Sequence, residues 1–386
     1  MAVDLQVDLQ TVLAVPATSI RNQHLDYLDG LRAFAALFVV FHHAYLQSWP
    51  TLLYPDSGPG KLEGILFGWL IYGHFSVTFF IALSGFCLMM PVLRSGSLRG
   101  GAKGFAIGRI RRILPPYYAA LLLSIVIAAA FLKVHTHTMY DESLPITAGG
   151  ILGHIFLVQN LQAASYEINA PLWSVATESQ IYVLFPFLVW IWMRKGIAPV
   201  LALTAALTAG FYVLDYFNFI AMLNPEFVFI FAIGMFAAIR AFRETKQPAK
   251  VRDWKFKLLA AVAGLMILRA LWLIPGNLSS GPVLNIFVGI GSAFLLVAAT
   301  SSEKSIIRRI ANFPPVVWVG GFSYSLYLLH FPLQQLIWQL FVQPYHLSKL
   351  TGFLIVAGPG TAIILLISFA FYRVFEKPFM RSKPRA

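Results

Sequence analysis

The sequence predicts an all-α polytopic membrane protein of about ten transmembrane helices, both termini cytoplasmic. Three observations predict it. Of 386 residues, 58% are hydrophobic and only 12% charged, with mean hydropathy +0.72, against about a quarter charged in a soluble domain. The apolar residues come in runs long enough to cross a bilayer as helices, roughly 20 residues each, and the alternating segments of a membrane barrel are absent. Basic residues gather on one side of the resulting map, as membrane orientation demands.

The spans are read at 31–48, 65–92, 113–133, 172–193, 197–215, 219–239, 258–275, 282–300, 316–340 and 351–372. Residues 147–163 (TAGGILGHIFLVQNLQA) are apolar but short and polar at their end. They are expected to form a re-entrant or interfacial segment. With the N-terminus inside, all 29 Lys and Arg lie on the cytoplasmic side except Lys61, Lys133, Lys349 and Arg269. The net charge of +13 therefore reads as orientation in a bilayer and not as nucleic-acid binding. Residues 1–24 lack the apolar core of a cleavable signal and read as a cytoplasmic arm. Residues 25–380 read as one transmembrane domain without internal repeat. The single cysteine, Cys87, excludes a disulfide framework or a cysteine metal site, and no metal is expected.

The stretch from Asp26 to Trp49 organises the rest. Arg32 and His43 are eleven residues apart, which brings them to nearly one helix face, about three turns and ~16 Å along the axis. Arg32 can snorkel at the membrane edge while His43 sits near mid-bilayer, where an ionisable group is costly and marks a functional site. The alternative is a histidine that hydrogen-bonds within the bundle. His42 points about 100° away and takes that plainer reading.

Further along, HFSVTFFIALSGFCL (74–88) holds Ser84-Gly85, which permits close helix packing or a break beside a ligand. GRIRRILPPYY (108–118) clusters Arg109, Arg111 and Arg112. Arg109 and Arg112, at i and i+3, can clamp a phosphate together or simply anchor the span. Pro115-Pro116 is expected to break the helix just inside the membrane. NAPLWSVATESQIYVLFPFL (169–188) carries Trp173 and Glu178, a membrane carboxylate that must be paired or protonated. GFSYSLYLLHFPL (321–333) brings a second mid-membrane histidine, His330, with Ser323, Tyr324 and Tyr327 within two turns. In YRVFEKPFM, Glu376 and Lys377 are expected to cap the last helix at the cytoplasmic face.

Together, GLRAFAALFVVFHH, FFIALSGF, RRILPPYY, PLWSVATESQIYVLFP, SYSLYLLHFPL and FEKPF resemble the integral-membrane acyltransferase type 3 family from about Tyr27 to Phe379. Arg32-x10-His43 resembles the family's arginine–histidine signature, Arg109-x-x-Arg112 its RxxR motif, Trp173-Ser174 to Glu178 its W-S-x-x-x-E segment, and His330 its S-Y-S-L-Y-x-x-H histidine. The sequence departs from the pattern at Ser76-Val77-Thr78 and at Ser179, where many members carry acidic residues. No SGNH-type domain, such as some members carry, is expected within these residues.

The resemblance implies transfer of an acyl group, acetyl by default, from cytoplasmic acyl-CoA to a sugar hydroxyl of a surface polysaccharide or lipid-linked precursor, in the cell (inner/plasma) membrane. His43, with Arg32 and Glu178, would be catalytic, His43 as general base or, as the alternative, as the nucleophile that takes the acyl group. Arg109, Arg111 and Arg112, with Ser84 and Gly85, would hold the CoA. His330, Trp173 and Tyr324 would meet the carbohydrate or glycolipid acceptor, and either Glu178 or His330 would set the tautomer of His43. Acylation of a macrolide-type glycoside and a proton-coupled transporter or flippase are the competing readings. The oligomeric state is left open, a homodimer included.

Overall fold

The computed structural model describes residues 25–132, 136–161, 165–216, 224–243, 281–301 and 305–380. Among these every regular element is helical. The N-terminal arm and the expected span at 258–275 lie outside the described residues.

Helix α1 (Asp26–Ser48) leads to a rod in which α2 (Lys61–Phe67), a 3-10 stretch (Gly68–His74) and α3 (Phe75–Ser95) run on as 35 residues. Helix α4 (Gly101–Phe131) follows, then short α5 (Ala148–Phe156), α6 (Trp173–Lys195), α7 (Ile197–Tyr216) and α8 (Glu226–Arg243). After α9 (Pro282–Ser301) come α10 (Ile306–Ala311) and α11 (Pro314–Gly320), and α11 meets α12 (Ser323–Phe341) at a 74° bend. The last rod, Lys349–Phe379, comprises α13 (Lys349–Ile355), a π-turn, α14 (Thr361–Phe371) and a second π-turn at Tyr372–Glu376.

Among the described residues six helices are long and apolar enough to cross a membrane, or seven if α11 and α12 count as one bent span. Of the ten expected, the span at 258–275 lies outside this count. Helix α1 is not among the six, because the span that carries Arg32, His42, His43 and Gln47 gives up hydropathy to do so. Helix α5 has nine residues, about half a bilayer crossing at 1.5 Å per residue. Leu122, Val183, Phe187 and Leu366 point outward and are exposed, the outward apolar surface of a multi-pass membrane protein.

Pro115 and Pro116 do not break α4, which is helical from Gly101 to Phe131. Each proline removes one N–H donor, so the carbonyls of Arg111 and Arg112 lose their ladder partners. A membrane helix tolerates this where neighbouring helices supply polar groups. At this turn the Tyr324 hydroxyl reaches the Ile113 carbonyl at 3.3 Å.

Two apolar cores share the interior, one centred on α3, α6, α8 and α9, the other on α1, α4, α12 and α14. Glycines set the first. A Cβ at Gly85 would lie 2.1 Å from the Phe231 carbonyl oxygen, and one at Gly234 would lie 2.0 Å from that of Ala82. Helices α3 and α8 thus cross backbone to backbone, with small residues as the enabling feature. Beside this crossing Glu226 is buried, accepting from Tyr212 and, at 2.9 Å, from Asn285, which in turn accepts from Thr78. Thr78, in the segment 76–78 where many members carry an acidic residue, therefore supports a carboxylate on another helix through Asn285.

Candidate active site

Helices α1 and α12 run parallel, and their first turns open onto a cavity of about 840 Å³. Asp29 and Arg32 of α1 and Ser323, Tyr324 and Tyr327 of α12 line it. So do Ser84 and Cys87 of α3, Arg109 and Arg112 of α4, and Ser174, Glu178 and Tyr182 of α6. The second π-turn, with Arg373 and Glu376, and Lys377 just after it close it. Five cationic side chains thus share one cavity with three carboxylates.

Their internal pairing decides what is left for a ligand. Arg32 pairs with Asp29 one turn earlier and donates its other Nη to Cys87 Sγ at 3.1 Å. Glu178 accepts from the Tyr182 hydroxyl, which also lies 2.6 Å from Ser84 Oγ. The Arg109 guanidinium stands 5.9 Å from the ring centroids of both Tyr182 and Phe105, within cation–π range. Glu376 is 2% exposed and accepts from the Ser325 hydroxyl and, at 3.2 Å, from the Ser325 backbone N–H. A carboxylate there answers the unpaired amides at the start of α12.

Glu376 corrects the expected cap. The π-turn turns it inward, where it meets Ser325, and Lys377 joins it in the cavity wall. Three other expected cavity residues lie elsewhere. Arg111 is exposed and absent from the lining, because two residues beyond Arg109 is about 200° round the helix. Gly85 packs α3 on α8. Trp173 stacks on Phe227, ring centroids 5.8 Å apart, outside the cavity. Ser84 and Tyr324 do line it.

The two mid-helix histidines come together one step further along the α1–α12 pair. His330 Nε2 is 3.0 Å from His43 Nδ1, His330 Nδ1 is 2.6 Å from the Tyr327 carbonyl, and His43 Nδ1 is also 3.0 Å from the Val39 carbonyl. Carbonyls only accept, so both Nδ1 atoms carry the proton. The single His43 Nδ1–H is then shared between the Val39 carbonyl and His330 Nε2, both of which accept it, and the lone pair of His43 is left on Nε2. The tautomers follow from the hydrogen-bond partners alone. Of the two residues that could set the tautomer of His43, His330 is the one in contact, while Glu178 is engaged with Tyr182. His42 bonds instead to the Leu70 carbonyl at 2.9 Å.

Tyr327, read from sequence only as a polar neighbour of His330, joins the cavity to this pair. Its ring lines the cavity, its carbonyl holds His330, and its hydroxyl is 2.7 Å from Ser174 Oγ and 3.0 Å from the Pro171 carbonyl. The repeated tyrosines of SYSLYLLH were its only signal.

The arrangement has relatives. A family model described as an acyltransferase domain, type 3, matches residues 25–373. This chain belongs to the acyltransferase 3 family. The peptidoglycan O-acetyltransferase OatA of Listeria monocytogenes is 24% identical over 347 residues, 82% of this chain and 50% of its own length. The provisionally named O-acetyltransferase SACOL0978 of Staphylococcus aureus is 23% identical, over 95% of this chain and 59% of its own length. The provisionally named peptidoglycan O-acetyltransferase YrhL of Bacillus subtilis is 22% identical, over 81% of this chain and 49% of its own length. The chain thus spans about half the length of these curated relatives. No solved structure matches it.

Proposed function

We propose that this chain is a membrane O-acyltransferase that moves an acyl group, acetyl by default, from acyl-CoA to a carbohydrate hydroxyl. The observation that carries the reading is the His43–His330 pair, set with a free imidazole lone pair on the same two helices that open the cationic cavity. Family membership and the activity named for OatA support it, and peptidoglycan or another surface glycan is the acceptor class they favour.

In this scheme the cavity takes the donor from the cytoplasmic side. Arg109 and Arg112, with Arg373 and Lys377, answer the phosphates of CoA, where guanidinium forks give strong charge-assisted bonds. The pantetheine arm then runs past Tyr327 toward the histidines, along the ~16 Å of α1 between Arg32 and His43. His43 Nε2 takes the proton of the acceptor hydroxyl as its oxygen attacks the thioester carbonyl. The C–S bond breaks as the new C–O bond is completed, and the CoA thiolate recovers the proton from His43. His330 accepts from Nδ1 throughout and steadies the transient imidazolium, the role of an orienting partner in nucleophile–base systems.

The test is titration of the purified full chain with acetyl-CoA, followed by release of free CoA thiol in the presence of glycan fragments. Saturable binding with thiol release is the expected result. A folded protein that binds no acetyl-CoA would refute the reading and favour the transporter.

A further inference from the structure

Beyond the histidines the same two helices carry a layer of neutral amides. Gln47 stands four residues past His43 on α1, and Gln334 four residues past His330 on α12, so each lies one turn further from the cavity on its histidine's face. Both are buried, at 1% and 0% exposure. Each uses its amide N–H₂ within the protein. Gln334 donates to the Val40 carbonyl at 2.7 Å, and Gln47 donates to Gln335 Oε1. These bonds fix which way each amide faces. Among the described residues no protein donor reaches Oε1 of either. A buried polar oxygen without a partner calls for an explanation, and two that follow His43 and His330 by one turn on the paired helices call for the same one.

We propose that Gln47 and Gln334 form the acceptor subsite, their free Oε1 atoms receiving hydroxyl groups of a neutral carbohydrate. The assignment rests on the reading of His43 as the base for acyl transfer. If the donor arrives through the cavity, the acceptor must approach His43 from the opposite end of the α1–α12 pair, which is where this layer lies. Its chemistry suits an uncharged polyol, since amide oxygens accept from O–H groups and repel a carboxylate or phosphate. Phe331 supplies an apolar wall, its ring 5.1 Å from that of His43 and stacked on Tyr140 at 5.1 Å. The carbon-bound hydrogens of a sugar face pack against such rings.

The segment beyond roofs the layer. Thr138 donates to Gln335 Oε1 at 2.8 Å, and Asp141 holds the turn before it. The Asp141 carboxylate accepts from Tyr54, from the Thr136 hydroxyl and backbone N–H, and from the His137 N–H. With its oxygens so engaged, it shapes the roof and leaves the subsite to the neutral amides.

The experiment uses purified full-length protein, radiolabelled acetyl-CoA and chitotetraose as a neutral glycan probe, with Gln334→Met and Gln47→Met beside the wild type. Each variant should raise the KM for chitotetraose by about tenfold, the loss of one buried hydrogen bond. The acetyl-CoA dissociation constant, which also reports that the variant is folded, should stay within about twofold. An unchanged chitotetraose KM in both variants overturns the subsite, as does an equal loss of acetyl-CoA binding in both. Wild-type protein that binds acetyl-CoA but transfers nothing to chitotetraose overturns the carbohydrate assignment while leaving acyl transfer standing. Wild-type protein that binds no acetyl-CoA overturns both.

Discussion

The two ends of the α1–α12 pair are built from opposite chemistry. At one end five cations and three carboxylates surround a cavity; at the other the helices carry amides and aromatic rings. His43 and His330 mark the boundary. Charge belongs where a polyanionic donor must be held, because guanidinium–phosphate bonds are strong and directional. It would be misplaced around an uncharged hydroxyl, which needs only acceptors and a dry wall. On the proposed function, one helix pair would present two substrates with different recognition problems to one imidazole.

That contrast can be broken at several points. His43→Ala should lower kcat for acyl transfer by about 10²- to 10⁴-fold, the usual worth of a positioned general base, with acetyl-CoA binding retained. Titration and thiol release on the same sample check both halves. Arg112→Ala and Arg109→Ala should each weaken acyl-CoA binding by about 10- to 100-fold, as loss of a charged hydrogen bond does. Arg111→Ala should change it by less than about twofold, because that side chain is exposed on the other face. Equal effects from all three would show that general positive charge, and not the cavity wall, holds the donor.

Gly85→Val sharpens the assignment of its neighbour. The added carbons would drive α3 off the Phe231 carbonyl, and overpacking of this kind costs about 1–3 kcal/mol. Thermal unfolding should fall while the acetyl-CoA KM of the surviving fraction holds. Ser84→Ala should do the reverse, leaving stability nearly intact and altering donor binding through Tyr182 and Glu178.

The smallest effect is expected outside the membrane. Burial pushes the Glu142 carboxyl up to about 7, above its ordinary value near 4.5. The folded state therefore keeps a proton that the unfolded chain releases, and native stability falls as pH rises from about 4.5 through about 7. Glu142→Gln removes the penalty. It should raise the melting temperature at pH 8 and leave it nearly unchanged at pH 4.5, with a difference of about 1–3 kcal/mol.

Much of this site was legible in the sequence because helices repeat. The eleven-residue interval placed Arg32 and His43 on one face, and the i, i+3 interval did the same for Arg109 and Arg112. What periodicity cannot supply is which helix lies opposite. The meeting of His43 with His330, and the engagement of Glu178 by Tyr182, needed the fold. Glu376 looked like a cap because a regular helix would leave it at the end, and a π-turn is not visible in residue types. Pro115-Pro116 misled for the converse reason, since a membrane bundle supplies partners that a soluble helix lacks. Ser84-Gly85 was read as one feature, yet 100° of helix separates a cavity residue from a packing one. Helix α1 shows why hydropathy alone misses a span near the site, since Arg32, His42, His43 and Gln47 lower its mean.

The central claim is that His43 and His330 act as one unit, and a double-mutant cycle tests it most directly. Acetyl transfer would be measured for wild type, His43→Ala, His330→Gln and the double variant, with acetyl-CoA binding as the folding control. If His330 works by orienting His43, its substitution should cost about 10- to 100-fold in the presence of His43 and almost nothing in its absence. Independent losses that multiply in the double variant, or a His43→Ala protein that transfers at the wild-type rate, would contradict it.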